Sequence, residues 1–436
     1  MHLIFENVMK NLMNLWSGNY KDLDDGLENY ELKSAIWEDI GAASEEPGSY
    51  IPYVYGPRPP NTADTRSFWM QYIGPVLLKG QFAQPKYYEH YLLFVRLVRK
   101  CLQWEVSSAD VQYIREGFAQ WVTTYEQYYY QTDPRRLSTC PLTIHALLHI
   151  ADSIRDIGPV WAAWAFPMER YCGSLQPAIR SRRFPYASLN RYVLDKARLD
   201  HIKLRYGSTL RTHLTLHAPL GVLPKSVEGY TSLVLLPSSR TVVLDRGTQT
   251  KIIGALCTRF TTAAPSIIRQ ALPTEVEEWA KSCILNDGDT IRSAALDAVA
   301  ADSRNASYVR YELFIDLLAR QRNAPSIFRP QVFYGELQHI YLVNLSPIPS
   351  CGINTVTPIL LAAIKTCNIG RTNSTLDIHW YTSLGAVDFV DLETIQAVVG
   401  RVKDRGHFAI IDRNTVNLVS THYIDEPEGP EEVVPR

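Results

Sequence analysis

The sequence lacks the segments that mark membrane-spanning and secreted proteins. Its 436 residues contain no apolar run of about 18 residues, the minimum for a membrane-spanning helix. Glu6 and Lys10 interrupt the first apolar stretch, which is not the pattern of a signal peptide. The seven cysteines are scattered and form no CxxC pair, which argues against a disulfide scaffold. We therefore expect an intracellular protein without a membrane partner.

The sequence also lacks a charge excess and the common nucleotide and nucleophile motifs. It has 44 Lys and Arg against 45 Asp and Glu, so any surface that attracts nucleic acid must be local. It has no GxxxxGK[ST], GxGxxG or GxSxG motif. These absences argue against a P-loop NTPase, a dinucleotide-binding enzyme and a serine hydrolase of the α/β type.

Helical periodicity dominates the first part of the chain. Apolar residues recur there every three or four positions, which predicts helices with one buried face. An aromatic surface for stacking bases is the alternative interpretation of the same stripes. The three stripes are Phe5, Val8, Met9, Leu12 and Trp16, then Tyr91, Phe94, Val95 and Val98, then Phe118, Trp121, Val122 and Tyr125.

The period changes to that of strands in the last part of the chain. QVFYGELQHIYLVNL, TPILLAAIKTC, LDIHWYTS and HFAIIDR predict a small antiparallel β module over residues 331–424. The stretch TSLVLLPSSRTVVLD, within 211–245, also favours a strand. Three helices are expected between these regions, near Gln249–Phe260, Glu275–Leu285 and Tyr308–Arg322. An acidic tail, 425–436, is expected to be disordered.

Two histidines lie four residues apart in PLTIHALLHIADSIRD, ahead of a break at Gly158-Pro159. His145 and His149 share a helix face with Asp152 and Asp156, and two histidines at this spacing can bind one Zn²⁺. Structural zinc sites normally have four protein ligands, and no CxxC supplies the other two. The alternative is a buried pair that forms hydrogen bonds to the backbone or to Asp152.

Residues 170–205 form the one clearly basic region, with nine Lys and Arg against two Asp. Arg180, Arg182 and Arg183 lie beside a turn marked by Pro185, and they have no acidic neighbour in sequence. A surface that contacts nucleic-acid phosphates is one interpretation.

Further along the basic region, Arg191, Asp195 and Arg198 share a helix face. Arg191 and Asp195 are an i, i+4 pair, so a helix stabilised by salt bridges is the other interpretation. The sequence leaves both interpretations open for Arg191 and Arg198.

Four strings resemble one family. MHLIFENVMKNLMNLW, PLTIHALLHI, GPVWAAWAFPMERYCGSL and RSRRFPYASLNRYV are similar to CACTA-type (En/Spm) DNA transposases, particularly the fungal ones, over residues 1–205. The helix and strand periods together predict an α+β multidomain protein. The resemblance implies a nuclear location, and a cytoplasmic one stays open. Residues 1–135 would be a helical insertion, and 136–210 the last helices of a ribonuclease-H-like domain. Residues 211–330 would be a mixed linker and helical region before the β module.

The resemblance also implies a catalytic role for one acid. These transposases hold two Mg²⁺ ions with three carboxylates, and Glu169, near the start of a helix expected from Pro167, matches the third. A glutamate in the first turn of a helix is also stabilised by the helix dipole without any metal. The family's other two acids precede the residues that match Met1-His2, so we expect the chain to be the C-terminal part of a transposase.

One carboxylate cannot hold two metal ions, so we expect no strand cleavage by this chain alone. The role that remains is weak binding to DNA, or binding to other transposase chains. Two alternatives stay open: a non-catalytic protein-interaction protein, and a metalloprotein that uses His145, His149 and an acid.

Overall fold

The computed structural model describes residues 2–21, 23, 28–45, 50–52, 55, 63–179, 183–213, 224–285, 288–296, 304–318 and 325–413. Contacts divide the chain into two compact units. The first unit combines residues 1–159 with 223–436, and the second unit is 160–222. This grouping follows packing. The five segments predicted above, 1–135, 136–210, 211–330, 331–424 and 425–436, follow sequence pattern, and they stay a prediction.

The N-terminal part of the first unit is helical, as predicted. A π-helical turn, His2–Val8, leads into the first α-helix, and further π-helical or 3-10 turns join several of the others. The helices are α1 Met9–Trp16, α2 Ser34–Glu45, α3 Ala63–Phe68, α4 Gly74–Leu77, α5 Pro85–Cys101, α6 Ser108–Tyr125, α7 Leu142–Ala146 and α8 Ile150–Ile157.

The three apolar stripes form the core of these helices. All thirteen residues of the stripes are at most 7 % exposed, which confirms their assignment to the core rather than to a surface for stacking bases. Gly117 lets α5 and α6 approach closely, because an added Cβ would lie 2.3 Å from Cδ2 of Leu97. Between the same helices, the buried His90 ring stacks on the Trp121 indole with centroids 4.5 Å apart. Burial lowers the pKa of His90 to about 4, so the ring is neutral near pH 7.

Helix α6 begins at a reciprocal cap. The Asp110 amide donates to Ser107 Oγ at 3.2 Å, and the Ser107 amide donates to Asp110 Oδ2 at 3.0 Å. Two amide groups that lack a partner within the helix are thereby satisfied. This cap fixes the start of α6 beside the last turn of α5.

The described residues of the second unit form three α-helices, and those of the first unit form two more after it. The helix expected from Pro167 is confirmed, with its start one residue earlier. The second unit has α9 Val160–Ala163, α10 Phe166–Leu175 and α11 Pro185–His213, and the first unit continues with α12 Arg246–Arg259 and α13 Pro265–Ala271. Among the described helices, none is both long enough and apolar enough to cross a bilayer.

Eleven strands also lie in the described part of the first unit. They belong to one sheet, and all of the pairings are antiparallel. The strands are β1 Lys225–Val227, β2 Tyr230–Val243, β3 Glu275–Ile284, β4 Thr290–Arg292, β5 Tyr308–Asp316, β6 Phe328–Leu345, β7 Thr357–Asn373, β8 Ile378–Asp391, β9 Ile395–Val398, β10 Gly400–Asp404 and β11 His407–Ile411.

Part of the sheet closes into a ring that is six strands around, with β9 and β10 together filling one of the six places. The pairings run from β5 through β6, β7, β8 and β11 to β10, and β9, which directly precedes β10, pairs back with β5. The amide of Val399, between β9 and β10, donates to the Tyr308 carbonyl at 2.8 Å and joins the two parts. Strand β3 extends the sheet outside this ring by pairing with residues 340–342 of β6. Strands β2 and β4 pair with β3, and β1 pairs with β2. Helices α12 and α13 pack on this sheet through Ile252, Leu256 and Ile268.

The structure corrects two of the predicted helices. Residues Glu275–Leu285 and Tyr308–Arg322 were expected to be helical, but they contain β3 and β5. Both segments carry Val and aromatic residues, which suit a strand between neighbours. The sheet therefore begins at Lys225 rather than at residue 331. The helix near Gln249–Phe260, the strand in 211–245 and the four later strands are confirmed, and the acidic tail lies outside the described residues.

Direct contacts tie the helices of the first unit to its sheet. Tyr55 Oη donates to the Ile411 carbonyl at 2.6 Å. The Arg405 guanidinium donates to the Lys79 carbonyl at 2.7 Å. Arg99 Nη1 donates to the Leu376 carbonyl at 3.3 Å, across 277 positions of sequence. The Arg99 bond places the end of α5 against the connection between β7 and β8.

Candidate functional site

The two predicted histidines meet on the surface of the first unit. His145 lies at the end of α7 and His149 lies in the 3-10 turn that joins α7 to α8. Their Nε2 atoms are 3.2 Å apart, so the spacing in sequence correctly predicted a pair. Both side chains are exposed, so the alternative of a buried pair is wrong.

The acids next to the histidines are engaged by arginines. Asp152 lies 2.8 Å from Arg115 and 3.0 Å from Arg155, and Asp156 lies 3.0 Å from Arg155. The hydrogen bond from Arg115 is the main cause that lowers the pKa of Asp152. Within the described ranges, no group of three or more His, Cys, Asp or Glu side chains is arranged to hold a metal ion. Zinc binding by His145 and His149 stays a prediction, which a metal analysis of the purified protein tests.

The predicted third acid lies on a helix of the second unit. Glu169 belongs to α10, but its side chain lies outside the described part of the structure. Its role as a ligand of Mg²⁺ therefore stays a prediction.

The predicted basic segment leads into the longest helix of the second unit. Arg180 and Arg182 lie outside the described residues, and Arg183 is exposed just before α11 begins at Pro185. On α11, Arg191 and Arg198 lie 3.8 Å and 3.4 Å from Asp195, which confirms the predicted ion pair of Arg191.

The ion pairs on α11 are too exposed to immobilise the two arginines. The side chain of Arg191 is 87 % exposed and that of Arg198 is 72 % exposed. Pairs between exposed charges contribute only about 0.2 to 1 kcal/mol. Both guanidinium groups therefore remain accessible to an external anion, so salt bridging and phosphate contact are compatible on this helix.

The structure also assembles a charged cluster that the sequence did not predict. The Glu278 side chain on β3 is buried, accepts a hydrogen bond from Arg240 at 2.7 Å, and contacts Nδ1 of His339 on β6. A carboxylate that orients an imidazole in this way is found in proton-transfer sites. Here the nearby hydroxyl of Thr248 already donates to Asp245, and Lys251 donates to the Val387 carbonyl.

Glu278 is paired with both Arg240 and His339, and the neighbouring hydroxyl and amine are engaged elsewhere. The arrangement therefore favours a structural ion cluster rather than a site for proton transfer. No local pattern predicts the cluster, because 61 positions separate Glu278 from His339.

A second unpredicted cluster lies beside α5, where Arg96 and Arg99 meet the connection between β7 and β8. In sequence, Arg96 looks like part of the solvent-exposed face of an amphipathic helix, so nothing local singles it out.

No protein-family model, curated protein or solved structure matches this chain.

Proposed function

We propose that this chain is a CACTA-type transposase derivative that binds DNA through the basic part of its second unit. The observation that carries the proposal is α11, a helix of 29 residues that presents Arg191 and Arg198 to solvent. The strings quoted above support the family. A ribonuclease-H-like catalytic region and a nuclear location are part of the same proposal, and both rest on this resemblance alone.

The proposed binding uses the DNA backbone rather than the bases. Arginine forms two parallel hydrogen bonds to a phosphate group, and each neutralised phosphate releases condensed counterions. The segment 183–206 contains six Lys and Arg against two Asp, so its charge favours DNA although the whole chain is close to neutral. Screening confines each field to about 8–10 Å, so acidic regions farther away do not cancel this attraction. The experiment is a titration of duplex DNA over a salt series, with wild type and an arginine-depleted variant.

Replacing Asp195 by asparagine is expected to tighten binding to duplex DNA about two- to five-fold. The substitution removes the carboxylate that Arg191 and Arg198 share, together with its repulsion of phosphate. Fluorescence anisotropy with a labelled duplex measures the change. Asp133→Asn is the charge-matched control, because Asp133 pairs with the exposed Arg135 in the first unit. Equal tightening in both variants, or weaker binding by Asp195→Asn, contradicts a role for these two arginines.

Incubation of residues 1–436 with Mg²⁺ and DNA is expected to give no strand cleavage. The chain matches one of the three carboxylates of the family, and two metal ions need the complete set. Supercoiled plasmid and a linear duplex, resolved on gels, are suitable substrates. Glu169→Gln should be indistinguishable from wild type. Cleavage that requires Mg²⁺ and is lost in Glu169→Gln would overturn this expectation.

A second candidate function is binding to another protein chain. The observation that favours it is a set of large apolar side chains exposed on α11, among them Tyr186 at 77 %, Leu199 at 57 % and Leu204 at 86 %. Exposed apolar side chains that cluster on one element mark interaction surfaces in many proteins. Light scattering over a concentration series, with wild type and Leu199→Ser/Leu204→Ser, tests association between copies of this chain.

A further inference from the structure

A cleft of about 470 Å³ opens in the first unit between the last turns of α5, the first turn of α6 and the connection between β7 and β8. This volume is in the range of small-molecule sites. Its wall carries charged side chains and one tyrosine: Arg96, Arg99, Lys100, Asp110, Tyr113 and Asp377.

Arg96 is a cation without a protein partner on this wall. The residue is half-buried, and its Nε is shielded from solvent and accepted by no hydrogen-bonding group. Within the described part of the chain, its guanidinium forms no ion pair or hydrogen bond. Removing a cation from water without a compensating partner costs free energy. An external anion is the natural compensation.

Arg99, one helical turn later, is fixed in place by backbone carbonyls. The residue is only 7 % exposed, and it donates to the Leu376 and Gln71 carbonyls. Its guanidinium also lies over the Tyr72 ring, 5.3 Å from the centroid. Its Nε is buried and has no hydrogen-bond partner among the described residues. The fold therefore holds a second guanidinium, and its positive charge, rigidly beside the cleft.

The two carboxylates on the wall are already engaged. Asp110 lies 2.8 Å from Lys100 and caps α6, and these hydrogen bonds, that of Lys100 first, lower its pKa to about 2. Asp377 lies 2.9 Å from Nε2 of His379, and this hydrogen bond is the main cause that lowers its pKa. The wall thus carries three basic side chains against two carboxylates.

We propose that this cleft binds a phosphate group, held by the guanidinium of Arg96 beside the fixed positive charge of Arg99. Arginine presents planar, paired donors that match phosphate oxygens. The exposed hydroxyls of Ser374 and Thr375, also on the wall, offer further donors to a tetrahedral anion. Tyr113 provides an aromatic face for the rest of the ligand. The phosphate belongs either to a small phosphorylated molecule or to the backbone of a nucleic acid strand.

This site is distinct from the DNA-binding helix of the proposed function. It lies in the first unit, whereas α11 lies in the second. The cleft and the DNA-binding helix can therefore fail independently. A failed phosphate titration counts against the cleft, and an unchanged salt slope on duplex DNA counts against the helix.

The experiment is isothermal titration calorimetry with three probes: inorganic phosphate, adenosine monophosphate, and a single-stranded oligonucleotide without terminal phosphates. Wild type is compared with Arg96→Gln and with Arg135→Gln, an exposed arginine outside the cleft. The loss of a hydrogen-bonded charge should weaken binding about 10- to 100-fold in Arg96→Gln and leave Arg135→Gln unchanged. Arg96→Lys should lie between wild type and Arg96→Gln, because lysine keeps the charge and loses the paired donors.

A thermal melt separates binding from folding. Because Arg96 has no partner among the described residues, Arg96→Gln should melt at or slightly above the wild-type temperature in phosphate-free buffer. Added phosphate should raise the melting temperature of wild type and of Arg135→Gln more than that of Arg96→Gln.

The probes also distinguish the two sources of the phosphate. Arg96-dependent binding of inorganic phosphate or adenosine monophosphate supports a small-molecule ligand. Arg96-dependent binding of the oligonucleotide alone supports a phosphodiester. If no probe binds, or if Arg96→Gln binds every probe as tightly as wild type does, the proposed site does not exist.

Discussion

Replacing Trp121 by alanine is expected to lower the free energy of unfolding by about 3 to 5 kcal/mol. The indole is fully buried between α5 and α6, stacks on His90, and lies 4.7 Å from the Phe94 ring. Its Nε1 donates to the His90 carbonyl at 3.1 Å. Alanine would leave a large cavity and remove the donor to a buried carbonyl, so both costs add.

Urea denaturation followed by circular dichroism measures this loss. Trp104→Ala is the control, because Trp104 is 46 % exposed and its replacement should cost at most about 1 kcal/mol. Trp121→Phe should fall between the two, since phenylalanine retains most of the ring volume but not the hydrogen bond. Equal losses in Trp121→Ala and Trp104→Ala would show that α5 and α6 do not pack as described.

The sequence correctly predicted the elements whose own residues show a clear helix or strand pattern. The stripe through Phe118, Trp121 and Tyr125 has the period of a helix and is buried in full. The β-branched and aromatic residues of β8 and β11 likewise favour strands. In each of these elements, the local pattern favours the conformation that the fold adopts, so the pattern alone was sufficient.

The sequence did not predict elements that depend on pairing with distant strands. Glu275–Ile284 contains several charged residues and was expected to be helical, yet it is a strand between β2 and β6. Its charges find partners across the sheet, such as Lys225 with Glu277 at 2.7 Å. Such partners are invisible to a window of ten residues. Tertiary pairing therefore decided the conformation against the local preference.

The same limit applies to the sites. The histidine pair at His145 and His149 follows from spacing of four residues, and so does the ion pair at Arg191. The phosphate cleft joins α5 to a connection 277 positions later, through Arg99 and Leu376. Arg96 becomes distinctive only in the fold, where it has no partner within the described part of the chain. No pattern within α5 carries that information.

Replacing the five arginines Arg180, Arg182, Arg183, Arg191 and Arg198 by alanine is expected to change the salt dependence of DNA binding strongly. If each contacts one phosphate, log K should depend on log salt less steeply by about 4.5 units. Between about 50 and about 200 mM salt, wild type should then lose roughly 500-fold more affinity than the variant. A purely structural role predicts lower thermal stability of the variant and no change in slope.

A matched control keeps the total charge change the same. Five arginines outside the basic segment serve for this, each exposed: Arg135, Arg155, Arg246, Arg269 and Arg329. Their replacement by alanine removes the same charge from the protein but no proposed phosphate contact. The control should therefore keep most of the wild-type salt slope.

The measurement that tests the proposed function most directly is the affinity for a duplex of random sequence, determined by anisotropy over this salt range. Wild type, the five-arginine variant and the control variant are compared. The proposal predicts a steep slope for wild type and the control, and a slope flatter by about 4 to 5 units for the five-arginine variant. Identical slopes in all three proteins would contradict DNA binding by this segment.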